Sequence, residues 1–297
     1  MFYKLHMLTV FCSISEKEIK QATAWLIPSL EKQKNIEKIN LYLINYSGTN
    51  SLNVAKKNHG IVSVEEISNK KKMGFGEAHN FAFKKILPKN HFLIINPDVY
   101  LNKNCISKMI ETIQSDQTIG IVEARQMPFE HPKEYNKKTK ETPWASGFGM
   151  LINSAFFKKV NGFDEKFWMY CEDVDLSWRA WINDYRIIYN PLATAYHFTG
   201  IYSRYRNDRY YLEQFWSARN FLYLAYKFFG NDGADRGIKI FESTNYPKNF
   251  KNAVMQSFQE LKITTTDDFF NKNKKKILSL NTKIKITGFN LYHETRN

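Results

Sequence analysis

His91-Phe-Leu-Ile-Ile-Asn-Pro-Asp98 decides the fold. Residues 91–96 form a continuous apolar run, the pattern of a strand buried on both faces of a parallel sheet. The run stops at Asn96-Pro97-Asp98. Working outward toward the N-terminus, residues 8–14, 39–44 and 61–67 are further β-capable runs. Ser15-Glu-Lys-Glu18 is a capping box, and Ile19, Ala22, Trp25 and Leu26 give the helix behind it an apolar face. A second helix is expected over 77–87, with Ala78, Phe81, Ala82 and Ile86 on one side and Pro88 closing it. Toward the C-terminus, Ile106, Met109, Ile110 and Ile113 recur at helical spacing, and 120–124 reads as a strand. Strand and helix therefore alternate over the first 125 residues. This predicts an α/β fold with a mixed, mostly parallel sheet flanked by helices. Ligands bind such sheets outside the carboxyl ends of the strands, and two polar clusters sit there, at 45–50 and 96–98. No Gly-x-Gly-x-x-Gly occurs, and Gly74-Phe-Gly76 is too short to serve as one, so a dinucleotide fold is not expected.

The rest of the chain is less regular. Residues 126–143 are polar, charged and proline-bearing, and read as a mobile surface loop. Order returns at 144–152, a strand-like run, and Asn153 is an N-cap for a short helix. Two short strands are expected at 185–189 and 193–198. A long aromatic helix is expected over 208–229. Beyond 231 the pattern weakens to short helices and a β-prone segment at 284–286. The division is a catalytic domain over 1–228 and a helical C-terminal extension over 229–297 packed on it.

Composition narrows the classes. The 297-residue chain is 43% hydrophobic and 15% aromatic, which is globular and large enough for a sizeable core. Cys12, Cys105 and Cys171 have unrelated spacings, so neither a disulfide framework nor a zinc site is expected, and a reducing compartment fits. Neither a signal peptide nor a run of about 18 apolar residues is recognisable. The net charge of +14 points to a phosphate-bearing substrate or an anionic membrane surface. Nucleic acid is less well supported, because helix-turn-helix, RRM and zinc-finger patterns are missing.

The chemistry concentrates in GFDEKFWMYCEDVDLSWRA, residues 162–180. A turn and an aromatic run lead to Glu172, Asp173 and Asp175, after which Val174, Trp178 and Trp181 recur at helical offsets. Carboxylates favour the positive end of a helix dipole, which explains some of this pattern. Arg179 lies four residues beyond Asp175 and is its natural partner. Glu172 and Asp173 have no such partner.

Several motifs, in order, resemble the family 2 glycosyltransferases with a GT-A fold, in the branch that transfers rhamnose, galactofuranose and similar sugars in surface-polysaccharide synthesis. NKKKMGFGEAHN at 69–80 is similar to the family's Asn-x-Gly-Phe-Gly-x-Ala-x-Asn segment. LIINPDVYL at 93–101 looks like the strand ending in its metal-binding acidic motif. SGFGMLI at 146–152 and the 162–180 stretch look like the acceptor and catalytic segments. Pro191 to His197 matches Pro-x-Ala-x-x-x-His, and Arg219-Asn220 a later Arg-Asn pair. The resemblance implies an inverting enzyme, with Asp173 as the general base and Glu172 supporting it. It implies Mg²⁺ or Mn²⁺ held by Asp98 and His197, neutralising the leaving diphosphate of a nucleoside-diphosphate sugar. Ser13, Asn45, Asn50, Gly76, Asn80, Asn96 and Asp98 would bind the donor, whose nucleotide would be dTDP or UDP. Trp144, Gly147, Trp168 and Tyr170 would bind the acceptor, a lipid-linked or polysaccharide glycan of O-antigen or capsule type. Rhamnose is the favoured sugar, with galactofuranose or a hexose as alternatives. The expected location is cytoplasmic, peripheral at the inner face of the membrane. Asn45 and Asn50 stand where the family commonly has Asp. That departure motivates the alternative of a catalytically degenerate glycan-binding or partner protein.

Overall fold

The computed structural model describes residues 5–48, 52, 57–131, 133–198, 207–265 and 268–286. Its nine strands form one sheet: β1 (Leu8–Ile14), β2 (Ile39–Asn45), β3 (Lys57–His59), β4 (Val62–Ser68), β5 (His91–Ile95), β6 (Val99–Leu101), β7 (Ile119–Met127), β8 (Gly149–Asn153) and β9 (Arg186–His197). The spatial order is β3-β4-β2-β1-β5-β8-β7-β9-β6. Pairing is parallel through β4, β2, β1 and β5 and again between β7 and β9, whereas β3, β6 and β8 run antiparallel to their neighbours. The alternation of strand and helix had this right for the first half. The antiparallel insertion of β8 between β5 and β7 is a long-range pairing that local pattern does not carry.

Two apolar layers enclose the sheet. One side of β1 and β5 (Val10, Leu93, Ile95) packs under the helical stretch that begins at Ser15 and over Ile106, Met109 and Ile113 of a later helix. The capping box is present, with the Ser15 N–H and hydroxyl both donating to Glu18 at 2.8 and 2.7 Å. The other side (Phe11, Phe92, Ile94) packs against Phe83, Phe157 and Leu176 and against Phe228, Phe241, Val254, Phe258 and Ile277 of the C-terminal helices. Those helices therefore complete the core on the face that carries residues 162–180.

Helix α1 (Phe75–Ile86) ends at Leu87, whose left-handed backbone (φ 50) precedes Pro88. Helix α2 (Glu172–Ile182) begins within the catalytic stretch. Helix α3 (Asn207–Glu242) is longer than the sequence suggested and is kinked at Gly230. Residue 228 thus falls inside one helical run, and α4 (Lys248–Thr264) and α5 (Phe269–Ser279) follow it.

Three expectations need correction. The two short strands at 185–189 and 193–198 are one strand, β9, with an irregularity opposite Ala124 and Arg125 that absorbs Pro191. Residues 284–286 are not in a strand. The 126–143 segment is not a free surface loop. It begins inside β7, and Lys133 within it buries its ammonium against Glu123 at 2.5 Å.

Candidate active site

The described parts of the two sequence clusters lie at the carboxyl ends of β2 and β5, with β1 between these strands. Ser13 is half-buried near the end of β1, and Asn45 ends β2 beside it, in register with Ile14. The Asn45 side chain is turned into its own strand end: its Oδ1 accepts from the Ser47 N–H and hydroxyl at 3.2 and 2.7 Å, and its Nδ2 donates to Glu66 at 3.3 Å. This Asx-type turn shapes the strand exit. Asn50 lies outside the described residues.

Beyond β5, the Asn96-Pro97-Asp98 turn is fixed by the Asn96 N–H donating to the Phe148 carbonyl at 3.1 Å. Strand β6 then pairs with β9 so that Val99 faces His197. This long-range pairing delivers the imidazole to the carboxylate: His197 Nε2 is 3.3 Å from Asp98 Oδ1, and Asn96 Nδ2 is 3.3 Å from the same nitrogen. On its far side, His197 Nδ1 is 3.1 Å from Gln126 Oε1. An amide oxygen only accepts, so Nδ1 donates there while Nε2 faces Asp98. The His197 ring stacks on Phe148, with centroids 5.4 Å apart.

Among the described residues, no group of three or more His, Cys, Asp or Glu side chains is placed to hold a metal ion. The donor set that does exist is one carboxylate oxygen of Asp98 and one imidazole nitrogen of His197. That chemistry fits a Mg²⁺ or Mn²⁺ ion that takes its remaining ligands from phosphates and water.

The acid pair is built by a strained loop. Tyr170 and Cys171 both have left-handed backbones (φ 70 and 66), an uncommon conformation for residues with a Cβ. From α3, Asn220 Nδ2 donates to the carbonyls of Met169 and Tyr170 at 2.6 and 2.7 Å, and Arg219 donates to the Lys166 carbonyl at 2.9 Å. At the other edge, the Phe75 N–H donates to the Trp168 carbonyl at 3.0 Å. Asn80 bonds the Phe163 backbone in both directions at 2.9 Å and reaches Glu165 at 3.0 Å. A Cβ at Gly76 would come within 2.8 Å of Phe163. The side-chain amide of Asn80 and the bare face of Gly76, which the resemblance placed at the donor, are therefore engaged in seating residues 163–165 on α1.

Glu172 and Asp173 open α2, as carboxylates at a helix N-terminus should. Asp173 accepts from the Gly147 N–H at 3.0 Å and the Val174 N–H at 2.8 Å. Burial pushes its carboxyl above the ordinary range, while those two N–H groups and the Lys133 charge act the other way. Burial and the adjacent Asp173 charge push the Glu172 carboxyl well up, and its Oε2 is buried with no hydrogen-bond partner among the described residues. Asp175 is the scaffold its spacing suggested. It pairs with Arg179 at 2.8 Å and also with the buried Lys227 of α3 at 2.5 Å, which in turn bonds Asp164 at 2.7 Å.

Trp144 and Gly147 lie beside this pair. The Trp144 ring is 4.0 Å from Lys133 Nζ. Trp168 is half-buried, 6.5 Å from the Trp216 ring and 5.8 Å from Lys72 Nζ. Tyr170 is half-buried at the strained turn. Glu123, Gln126, Lys133, Ser177 and Lys227 were missed in the sequence. Their signal was weak because each acts across the fold, and Lys133 sits in a stretch whose composition reads as surface.

The family profile for glycosyl transferase family 2 matches residues 26–177, about half of the chain. The chain belongs to that family. It is a glycosyltransferase of GT-A fold. It is 26% identical to rhamnosyltransferase WbbL of Escherichia coli (strain K12), over 57% of this chain and 76% of that protein. A 54-residue segment is 41% identical to the N-acetylglucosaminyl-diphospho-decaprenol L-rhamnosyltransferase of Mycobacterium tuberculosis, covering 18% of each. Among solved structures, the mannosyltransferase PcManGT of Pyrobaculum calidifontis, in complex with GDP-Man and Mn²⁺, superposes with a TM-score of 0.55 at 13% identity. That match covers 95% of this chain and 74% of the other. S. aureus TarS 1–349 superposes with a TM-score of 0.53 at 14% identity, over 88% and 73% of the two chains.

Proposed function

We propose that this glycosyltransferase moves a sugar, rhamnose before galactofuranose or a hexose, from a dTDP- or UDP-linked donor to a lipid-linked or polysaccharide acceptor in cell-surface glycan synthesis, with inversion. The observation that carries the chemistry is the Asp173 carboxylate. It is the less buried member of the Glu172–Asp173 pair and accepts from the Gly147 N–H, two residues before the start of β8, which pairs with the end of β5 ahead of Asp98. In the step, Asp173 takes the proton of the acceptor hydroxyl as that oxygen attacks the anomeric carbon. The bond from that carbon to the diphosphate breaks, and the nucleoside diphosphate leaves with the electron pair. Glu172, buried behind Asp173 with its carboxyl pushed well up, supports that base. A bound Mg²⁺ or Mn²⁺ would be held by Asp98 and His197 and would supply charge neutralisation of the leaving diphosphate. Trp144, Trp168 and Tyr170 offer aromatic faces for sugars.

The names of the two rhamnosyltransferases support rhamnose and a lipid-diphosphate-linked acceptor, and the mannosyltransferase complexed with GDP-Man and Mn²⁺ supports the donor and cation. No described helix is long and apolar enough to cross a membrane. The net charge of +14 supports contact with an anionic membrane surface at its cytoplasmic face.

The test is Asp173→Asn, assayed for transfer with dTDP-rhamnose and a panel of UDP-sugars. A loss of about 10²-fold or more in turnover, with donor binding by calorimetry retained, is expected. Turnover equal to the parent protein would refute the assignment.

A further inference from the structure

Residues 144–147 reach Asp173 without belonging to the sheet: β8 starts only at Gly149. Their backbone groups have to find other partners, and almost all of these are side chains. The Ala145 N–H donates to the Ser177 hydroxyl at 3.0 Å, and the Ser146 N–H to Glu123 Oε1 at 3.1 Å. The Gly147 N–H donates to Asp173 Oδ2 at 3.0 Å, and the Trp144 carbonyl accepts from Lys133 Nζ at 2.6 Å. Glu123 and Lys133 bond each other at 2.5 Å, with side chains 1% and 8% exposed. One buried ion pair thus grips this segment at two points, and the next N–H along holds the acid.

We infer that Lys133 is a positioning residue for the transfer reaction: with Glu123 it fixes residues 144–147 against Asp173 and brings a positive charge to that carboxylate's side of the site. The inference rests on Asp173 being the base. Three features of the site support it. Lys133 is held on three sides, by the Glu123 carboxylate, the Trp144 carbonyl and the Trp144 ring at 4.0 Å, so its charge has a fixed location. A lysine is rarely buried without a reason of this kind. The charge acts on Asp173 in the direction that favours the carboxylate, against the burial that disfavours it. The titratable groups around the pair are few. Asp173 has Cys171 and Glu172 beside it in its own segment and Glu123 across from β7. Lys133 faces Glu123 of β7, Glu130 and His131 of its own segment, and Tyr189 of β9, whose hydroxyl bonds Glu130.

The segment 126–133 also reaches the other half of the site. Gln126 at its start holds His197, and Lys133 at its end serves Asp173. The stretch whose composition reads as loose surface therefore connects the donor side and the base side of one reaction.

The experiment is Lys133→Met, with the Glu123→Gln/Lys133→Met pair as a variant that leaves no unpaired buried charge, each measured as kcat against pH. Removing a nearby opposite charge from a carboxylate raises its pKa by roughly one unit or more. A base works only in its ionised form, so in Lys133→Met the acidic limb of the profile should move up by about one pH unit, and by less in the double variant, which also removes the Glu123 charge that opposes Asp173 ionisation. Turnover on the acidic limb should fall while recovering at higher pH. If the limb stays in place and turnover falls by the same factor at every pH, the charge role is refuted and Lys133 is a packing residue. If neither variant changes rate or limb, the whole inference is refuted. An active Asp173→Asn would instead overturn the base assignment. An inactive Asp173→Asn with an unmoved limb in Lys133→Met overturns this inference alone.

Discussion

Asn220→Ala tests how the catalytic loop is held. The Asn220 side chain is fully buried, and its Nδ2 serves the carbonyls of Met169 and Tyr170. Each carbonyl left without a donor costs about 1–3 kcal/mol where water cannot replace it. Met169 and Tyr170 are half-buried, so partial hydration sets the total at about 2–4 kcal/mol. On the other side of the balance stand two left-handed residues, Tyr170 and Cys171, at about 1–2 kcal/mol each. The two contributions are of the same size. Without Asn220 the strained turn loses most of what holds it in place. Asp173 follows two residues later, and a shift of about 1 Å in a catalytic group costs about 10²-fold in rate. Urea denaturation followed by circular dichroism should show stability lower by about 2–4 kcal/mol, and release of nucleoside diphosphate should show kcat down by about 10²-fold. Adding Cys171→Gly should recover about 1 kcal/mol by removing one strained residue. Stability within about 1 kcal/mol of the parent, together with kcat within about twofold, would refute the argument that Asn220 holds the strain.

Other consequences can be measured directly. His79 is fully buried on α1, bonded to the Phe75 carbonyl at 2.8 Å, and burial lowers its pKa from 6.5 to about 4. The unfolded chain then binds a proton that the folded chain refuses, so stability should fall as pH drops from 6.5 toward 4 and level off below. That window is worth about 3 kcal/mol. Glu172 and Asp173, pushed upward, act in the opposite sense, so the readout is the difference from His79→Gln, in which the loss between pH 6.5 and 4 should shrink. A Cβ at Gly74 would lie 2.2 Å from the Trp168 carbonyl oxygen. Gly74→Ala should therefore push the loop away, lower the thermal midpoint by several degrees for about 1–3 kcal/mol, and reduce turnover. Asp98→Ala should raise the Mn²⁺ concentration needed for half-maximal transfer by about tenfold or more, while Asp173→Asn leaves that concentration unchanged; equal Mn²⁺ dependence in both would refute the assignment of the ligands.

Local pattern was sufficient for the part of the fold whose partners are near in sequence. The apolar runs at β1, β2, β4 and β5 and the capping box after β1 identify strands and a helix by spacing alone, because burial on a sheet face imposes a period on each segment. Linear spacing also exposed the Asp175–Arg179 pair, since four residues is one helical turn. The single β9 and the order of β8 were not legible in the same way. Strand pairing depends on which distant backbone is adjacent, and Pro191 reads locally as a break while the partner strand tolerates an irregularity there.

The opening run shows the same division. By itself, His91 to Asp98 determined that a buried strand ends in a polar turn, and with its flanks that the sheet is of α/β type. The motif order made the family recognisable. Only the tertiary structure decided what that turn meets: β6 pairing with β9 brings His197 to within 3.3 Å of Asp98, a separation of about a hundred residues along the chain. It also decided that Asn80 seats the loop before Asp173 and that Lys133 holds the segment whose Gly147 N–H meets Asp173. A polar side chain has the same composition whether it faces solvent, substrate or a distant backbone group. Which of these it faces is set by the packing of elements far apart in sequence.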